Sequence, residues 1–533
     1  MKRIQIYDTT LRDGSQGEDV SFSVEDKLHI AKKLDDLGVD YIEGGWPGSN
    51  SKDIAFFRRA QDLKLKHAKL AAFGSTRHPR NSAQEDRNLQ ALIEAGTPVV
   101  TIFGKSWDLH VKVALAISLE ANLGLIRDSV AFLKSKGREV IYDAEHYFDG
   151  FKADHEYALA TLRAAEEAGA ELLVLCDTNG GTITSDIVER FRAAAAAVKT
   201  PLGIHTHNDS EMAVSNAIAA IQHGAIHVQG TINGYGERTG NANLCSVIPN
   251  IELKLGMRSI GLEKLKHLTE VSHYVSELAN LTPRHDLPFV GKSSFAHKGG
   301  IHVSAVMKDT RAYEHIEPEA VGNQRRVLVS ELSGKSNVLY KVEELGLELE
   351  KGSPHAKAVV DKLKELEHDG YVFEGAEASF QILFDRLVHK FPEFFELDGF
   401  RVITEKKGSN EPYSEAVIKM RVDGKEEHTA AEGVGPVSAL DRALRKSLGS
   451  FFPCIRDVRL TDYKVRVLNN KDATDARVRV LIETSDGQDT WNTVGVSENI
   501  IEASWKALVD SITFKLKKEY GYRRHPSKTH AAT

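Results

Sequence analysis

Two histidines one residue apart, His205-Thr206-His207, close an apolar stretch that reads as a strand. On a strand, residues i and i+2 share a face, so both imidazoles point to one side. An isolated pair of this kind is commonly an ordinary surface feature. Here it is followed by Asn208-Asp209 and has a counterpart at the start of the chain. There the strand Ile4–Tyr7 runs directly into Arg12, Asp13, Gly14 and Gln16. A carboxylate joined to two imidazoles makes a mixed N/O donor set for a divalent metal. Imidazole suits Zn2+, and oxygen ligands suit Mg2+ or Mn2+. A third stretch, Thr231 to Asn243, is rich in glycine, which permits close approach to a ligand, and its Asn241 can supply a neutral oxygen.

These residues need a frame that brings them together. From residue 1 to about 245 a short apolar strand ending in polar residues alternates with a helical stretch. The strands are expected at Ile4–Tyr7, Tyr41–Glu43, Lys69–Phe73, Val99–Phe103, Glu139–Tyr142, Leu172–Leu175, Leu202–His205 and Val228–Ile232. Helices fit between them. Val24–Leu37 is amphipathic with Ser23 and Asp26 spaced as a capping box, and Ala153–Ala168 and Ser185–Val198 are rich in alanine. Eight such alternations predict an α/β fold, a (β/α)8 TIM barrel. An open doubly wound sheet would carry a glycine phosphate fingerprint in its first turn, and none is present. In a barrel the polar strand ends Asp13, Glu43, Ser75, Ser106, Glu145, Thr178, His207 and Asn233 are expected to converge on one face.

After residue 250 the rhythm changes. Helices are expected at Leu262–Leu278, Lys335–Leu345, Lys357–Asp369 and Ala376–His389, with a linker at Gly370–Gly375. From Gly399 onward strands with period-2 alternation appear, at Ser414–Val422, Tyr463–Val467 and Ala476–Glu483. Strands lead twice into a helix, Val437–Leu448 and Ile501–Ile512. Ala439, Ala443 and Leu444 fall on Ala503, Ala507 and Leu508 at one offset, so an internal pseudo-repeat is expected. The resulting division is a barrel over 1–275, a mostly helical linker subdomain over 276–395 and an α+β domain over 396–520, with a polar tail at 521–533.

Composition narrows the classes. At 533 residues two or more domains are expected. The net charge of -7 gives no electrostatic case for a nucleic-acid partner. No apolar run approaches the ~20 residues that span a bilayer. Met1-Lys2-Arg3 leads into a strand and not into an apolar signal segment. Cys176, Cys245 and Cys454 offer neither a disulfide framework nor zinc spacing, so a reduced, cytoplasmic protein is expected.

The motifs D-T-T-L-R-D-G (8–14), H-T-H-N-D (205–209) and G-E-R-T-G-N (236–241) resemble the signatures of the 2-isopropylmalate synthase family. That family includes homocitrate and citramalate synthases and is related to 3-hydroxy-3-methylglutaryl-CoA lyase. The resemblance runs through the barrel, the Gly300-Ile301-His302 segment and a C-terminal domain similar to the family's regulatory domain. Tyr41–Pro47, Tyr313–Ile316 and Ser330–Val338 most resemble the citramalate synthase branch.

The resemblance implies condensation of acetyl-CoA with a 2-oxo acid, pyruvate in that branch, followed by hydrolysis to CoA. It implies that Asp13, His205, His207 and Asn241 hold a divalent cation, and that Arg12 faces the alkoxide as it forms. Glu43 and His302 are both candidates for the acid–base work, and Gln16, Glu145 and Thr178 for lining the substrate pocket. It further implies a homodimer, with the segment after residue 250 reaching toward the partner subunit. An amino-acid effector, isoleucine, is expected on the C-terminal domain.

Overall fold

The computed structural model describes residues 3–328, 340, 342, 354–389, 391, 393–408, 411–468 and 477–521. The chain forms two compact units. One is Met1–Ala296 with Glu314–Arg325, and the other is His297–Tyr313 with Arg326–Thr533.

The first unit is the expected barrel. Its eight parallel strands are β1 (Gln5–Asp8), β2 (Tyr41–Gly45), β3 (Lys69–Ser75), β4 (Val99–Lys105), β5 (Glu139–Glu145), β6 (Leu172–Asp177), β7 (Leu202–Thr206) and β8 (His227–Gly230). They close in sequence order, with β1 registered on β8 from Gln5 opposite His227 to Asp8 opposite Gly230. The helices between them are α1 (Val24–Leu37), α2 (Ser51–Ala60), α3 (Arg87–Glu94), α4 (Leu119–Ser135), α5 (His155–Glu167), α6 (Thr184–Ala197) and α7 (Ala213–Gln222), with α8 (Leu244–Pro249) after β8.

The capping box on α1 forms as the spacing predicts. Ser23 Oγ accepts from the Asp26 amide at 3.1 Å, and the Ser23 amide donates to the Asp26 carboxylate at 2.8 Å. Strand alternation sorts the barrel into two layers. Ile4, Ile6, Ile42, Val100 and Ile102 pack outward with the helices, while Tyr7, Tyr41, Val99, Ile141 and Val174 fill the barrel's lower interior. The predicted helix Leu262–Leu278 is broken into Leu262–Leu265 and α9 (Leu268–Leu278). At the break Gly322 lies so close that a Cβ there would sit 2.1 Å from the Lys266 carbonyl oxygen.

The second unit holds α10 (Gly300–Val306), α11 (Pro354–His368) and α12 (Glu377–Val388). It also contains two antiparallel three-stranded sheets. These are β9 (Glu396–Glu405), β10 (Tyr413–Val422) and β11 (Lys425–Gly433), then β12 (Arg459–Val467), β13 (Val478–Ser485) and β14 (Thr490–Ser497). Each sheet is followed by a helix, α13 (Pro436–Leu448) and α14 (Ile500–Tyr520). Ala439, Ala443 and Leu444 of α13 and Ala503, Ala507 and Leu508 of α14 all lie buried in one core, the placement the pseudo-repeat predicts. The expected helix at 335–345 and the tail at 523–533 lie outside the described residues. Among the described residues no single helix is long and apolar enough to cross a membrane.

Candidate active site and metal centre

At the C-terminal ends of the barrel strands lies a cavity of about 220 Å³. Arg12, Asp13, Gln16, Glu145, Thr178, His205 and His207 all line it, together with Trp46, Phe73, Phe103, Asp143, Cys176, Glu237 and Arg238.

Asp13 is nearly fully buried, and its Oδ2 lies 3.6 Å from His205 Nε2 and 3.8 Å from His207 Nε2. Burial pushes the Asp13 carboxyl up, but the Arg12 guanidinium and the two imidazoles outweigh it and hold it at about 2. Burial lowers both histidines, His207 to about 4, so both rings are neutral at physiological pH. Asp13 Oδ1, His207 Nδ1 and Asn241 Oδ1 are buried without a hydrogen-bond partner. Buried polar atoms are ordinarily paired. The orphaned oxygens of the ionised Asp13 and of Asn241 fit a divalent cation, and Asp13, His205 and His207 offer ligand atoms within 4.8 Å of one another.

The position of Asn241 explains the glycines before it. A Cβ at Gly240, whose φ is +91°, would lie 1.9 Å from the Gly234 carbonyl oxygen, and one at Gly236 would meet the Asn241 amide. At these two glycines the room is taken by the loop itself. Asn241 is then seated beside His207 by an isolated bridge.

Arg12 is held on several sides. Its Nε donates to Glu43 Oε2 at 2.5 Å, its Nη1 lies 3.2 Å from Asp13, and its guanidinium sits 3.8 Å from the Phe73 ring centre. Desolvation would lower its pKa, yet Glu43 and Asp13 overcome that and raise it, so the charge is permanent. Glu43 is fully buried and also accepts from Tyr7 Oη at 2.6 Å and Thr9 Oγ1 at 2.5 Å.

Several participants were not singled out in the sequence. Lys105 pairs with Glu145. Gln229 accepts from His205 Nδ1 at 2.9 Å and donates to Asp143 at 3.1 Å. Burial, reinforced by the Glu43 charge, raises the Asp143 carboxyl well above its usual range. The His146 amide donates to Thr178 Oγ1 at 2.9 Å, and Arg238 reaches the Thr178 carbonyl at 2.7 Å. Strand parity would have found two of these: Asp143 precedes Glu145 by two, and Gln229 lies mid-strand on β8.

Four of the eight strand-end groups do not line the cavity, and one of them, Glu43, is buried against Arg12. Ser106 faces outward to Thr161 on α5 at 2.9 Å. Asn233 donates to the Ser272 carbonyl and Ser276 Oγ on α9. Ser75 donates to the Thr76 carbonyl. His302 belongs to the second unit, where it is exposed on α10 and its ring stacks on Tyr313 with centroids 4.3 Å apart.

The family comparisons agree with this architecture. Residues 3–275 match the HMGL-like family, 289–370 the homocitrate synthase post-HMGL domain-like family, and 374–516 the LeuA allosteric (dimerisation) domain. The chain is similar to an (R)-citramalate synthase of Aquifex aeolicus, 54% identical over 97% of this chain and 98% of that one. A Geobacter sulfurreducens (R)-citramalate synthase is also 54% identical, over the same shares of both chains. A probable 2-isopropylmalate synthase of Methanopyrus kandleri is 32% identical over 96% of this chain and 98% of its own. The chain belongs to the HMGL-like family, in the branch formed by the (R)-citramalate synthases.

Proposed function

We propose that this chain is an acyltransferase that condenses acetyl-CoA with pyruvate and water, giving (R)-citramalate and CoA. The observation that carries the reading is the coincidence, at one cavity, of the Asp13–His205–His207 set with a fixed Arg12, in a chain about half identical to curated (R)-citramalate synthases over nearly its whole length.

Asp13, His205, His207 and Asn241 would hold a divalent cation, Mg2+ or Mn2+ before Zn2+. Such a cation, when bound, polarises the ketone of the oxo acid. Thr178, Gln16 and Glu145 bind the substrate, with Thr178 taking the carboxylate. Arg12 presents a permanent charge to the alkoxide that forms when the acetyl carbon attacks. Because Glu43 and Phe73 already fix the guanidinium, it need not reorganise during the reaction.

The acetyl methyl group is a weak acid and needs a positioned base. Glu43 has three hydrogen bonds to Tyr7, Thr9 and Arg12, which suits it to orienting Arg12. His302, on the second unit, is the other candidate for that base. The 1–275 barrel is the catalytic domain, 276–395 completes the site, and 396–520 is regulatory, with isoleucine as its inhibitor. A cytoplasmic homodimer placing the reaction in a threonine-independent route to isoleucine accords with this assignment.

The test is free thiol released from acetyl-CoA with a panel of 2-oxo acids and divalent metal. Pyruvate is expected as the best substrate. Preference for 3-methyl-2-oxobutanoate would assign a 2-isopropylmalate synthase, and no thiol with any oxo acid would leave an amino-acid sensor.

A further inference from the structure

A planar 2-oxo acid that turns its ketone and carboxylate oxygens toward one wall of a cavity directs its third substituent at the opposite wall. Here Asp13, Thr178, His205 and His207 come from the ends of β1, β6 and β7, whereas Trp46, Phe73 and Phe103 come from β2, β3 and β4. The two phenylalanines stack with centroids 5.5 Å apart, and Trp46 meets them edge-on at 5.8 and 5.6 Å. The indole therefore closes the side of the cavity that faces the substrate's alkyl group.

The attachment of Trp46 is unusually firm for a half-buried side chain. Its amide donates to Asp53 Oδ2 at 2.9 Å and its Nε1 to Asn88 Oδ1 at 2.7 Å. Asn88 is anchored in turn to the Ser75 carbonyl at 2.8 Å. Asp53 forms a buried ion pair with Lys27, whose Nζ also donates to the Gly44 carbonyl at 3.1 Å. Gly44 and Gly45 allow α2 to close on this turn. A Cβ at Gly44 would sit 2.2 Å from the Phe56 ring, and one at Gly45, whose φ is +148°, would sit 2.4 Å from the Asp53 carboxyl carbon. A buried ion pair adds little net stability over an apolar pair, so this one is best understood by what it holds in place.

Resting on the reading of the chain as a condensing enzyme for a 2-oxo acid, we propose that Trp46 limits the substrate's side chain to a methyl group. Asp53, Lys27 and Asn88 are positioning residues that keep the indole in that place.

Thiol release and calorimetric binding are measured for pyruvate, 2-oxobutanoate and 3-methyl-2-oxobutanoate with the wild type, Trp46→Ala, Trp46→Phe and Asp53→Asn. Trp46→Ala is expected to raise the kcat/KM ratio of the branched acid to pyruvate by about tenfold or more, with a parallel fall in the branched acid's Kd. Trp46→Phe, which keeps a ring but not the bond to Asn88, is expected to give an intermediate ratio, and it carries the test if the alanine variant does not fold. Asp53→Asn is expected to raise KM for pyruvate more than it lowers kcat and to weaken the near-UV tryptophan dichroism. Unchanged ratios in both Trp46 variants overturn the inference. A wild type that releases no thiol with any of the acids, or that prefers the branched one, overturns the proposed function instead.

Discussion

His205 and Gln229 are joined by a 2.9 Å bond from imidazole Nδ1 to the side-chain oxygen, and the other end of the same amide is committed to Asp143 at 3.1 Å. Because the amide nitrogen donates to the carboxyl, only the oxygen is left to face the ring, so Nδ1 carries the proton. Nε2, which faces Asp13, is thereby left with its lone pair free. Outer partners of this type orient a ligand and fix its tautomer.

Replacing that partner should loosen the centre without unfolding the barrel. Gln229→Leu is expected to weaken divalent-metal affinity by about 10–100-fold. Equilibrium titration of the metal-free protein reads the change, with far-UV dichroism as the control.

Asp13 is the one anionic group in the proposed ligand set. Asp13→Ala is expected to abolish metal-dependent thiol release while the barrel stays folded. Removal of divalent ions by a chelator should do the same to the wild type, reversibly on adding Mg2+ or Mn2+. Activity that survives the substitution would show that the cation is held elsewhere.

Glu43 keeps a buried guanidinium company. Glu43→Gln removes the anion but retains the size, leaving the Arg12 charge with Asp13 alone on its flank. Breaking a buried pair from one side costs about 3–5 kcal/mol. A lower melting temperature together with a lower kcat is expected, and a wild-type melt would separate Glu43 from the support of Arg12.

Asp177, whose carbonyl accepts from the His207 amide at 3.2 Å, gives the barrel a pH signature of its own. Burial raises its carboxyl, only partly offset by bonds from Thr182, to about 6. In the unfolded chain it titrates near about 3.9. Between these values the unfolded state has lost its proton while the folded state still holds it, so stability falls as pH rises from about 4 to 6, by about 3 kcal/mol at most. Asp177→Asn is expected to flatten that part of a stability–pH curve. An identical slope in the variant would assign the titration to another group.

The barrel was legible because each strand is a short apolar stretch broken by polar residues, and Val24–Leu37 carried its own cap. The three motifs likewise pointed to Arg12, Asp13, His205 and His207, which the fold brings to one cavity. What stayed hidden depends on direction more than on residue type. Ser106 follows Lys105 at a strand end, yet one step in parity turns it outward to Thr161. Asp143 and Gln229 lie within apolar strands, where a polar residue facing the barrel axis looks like an exception to a buried run. Glu145 was visible but Lys105 was not, since their pairing crosses two strands. The contact that gives Gly240 its meaning, with Gly234, is likewise invisible until the loop is folded.

The crowding at Gly236 and Gly240 also determines how this site can change through descent. Any side chain added there collides with the loop's own backbone or with Asn241, so that part of the chain offers selection no graded alternatives. Trp46 and Phe103 instead line the cavity, so a ring trimmed there opens onto the cavity and not onto the loop's own backbone. The loop that seats Asn241 and the turn that carries Trp46 are therefore separate segments of chain, and an added side chain is excluded at Gly236 and Gly240 where a smaller ring at Trp46 is not.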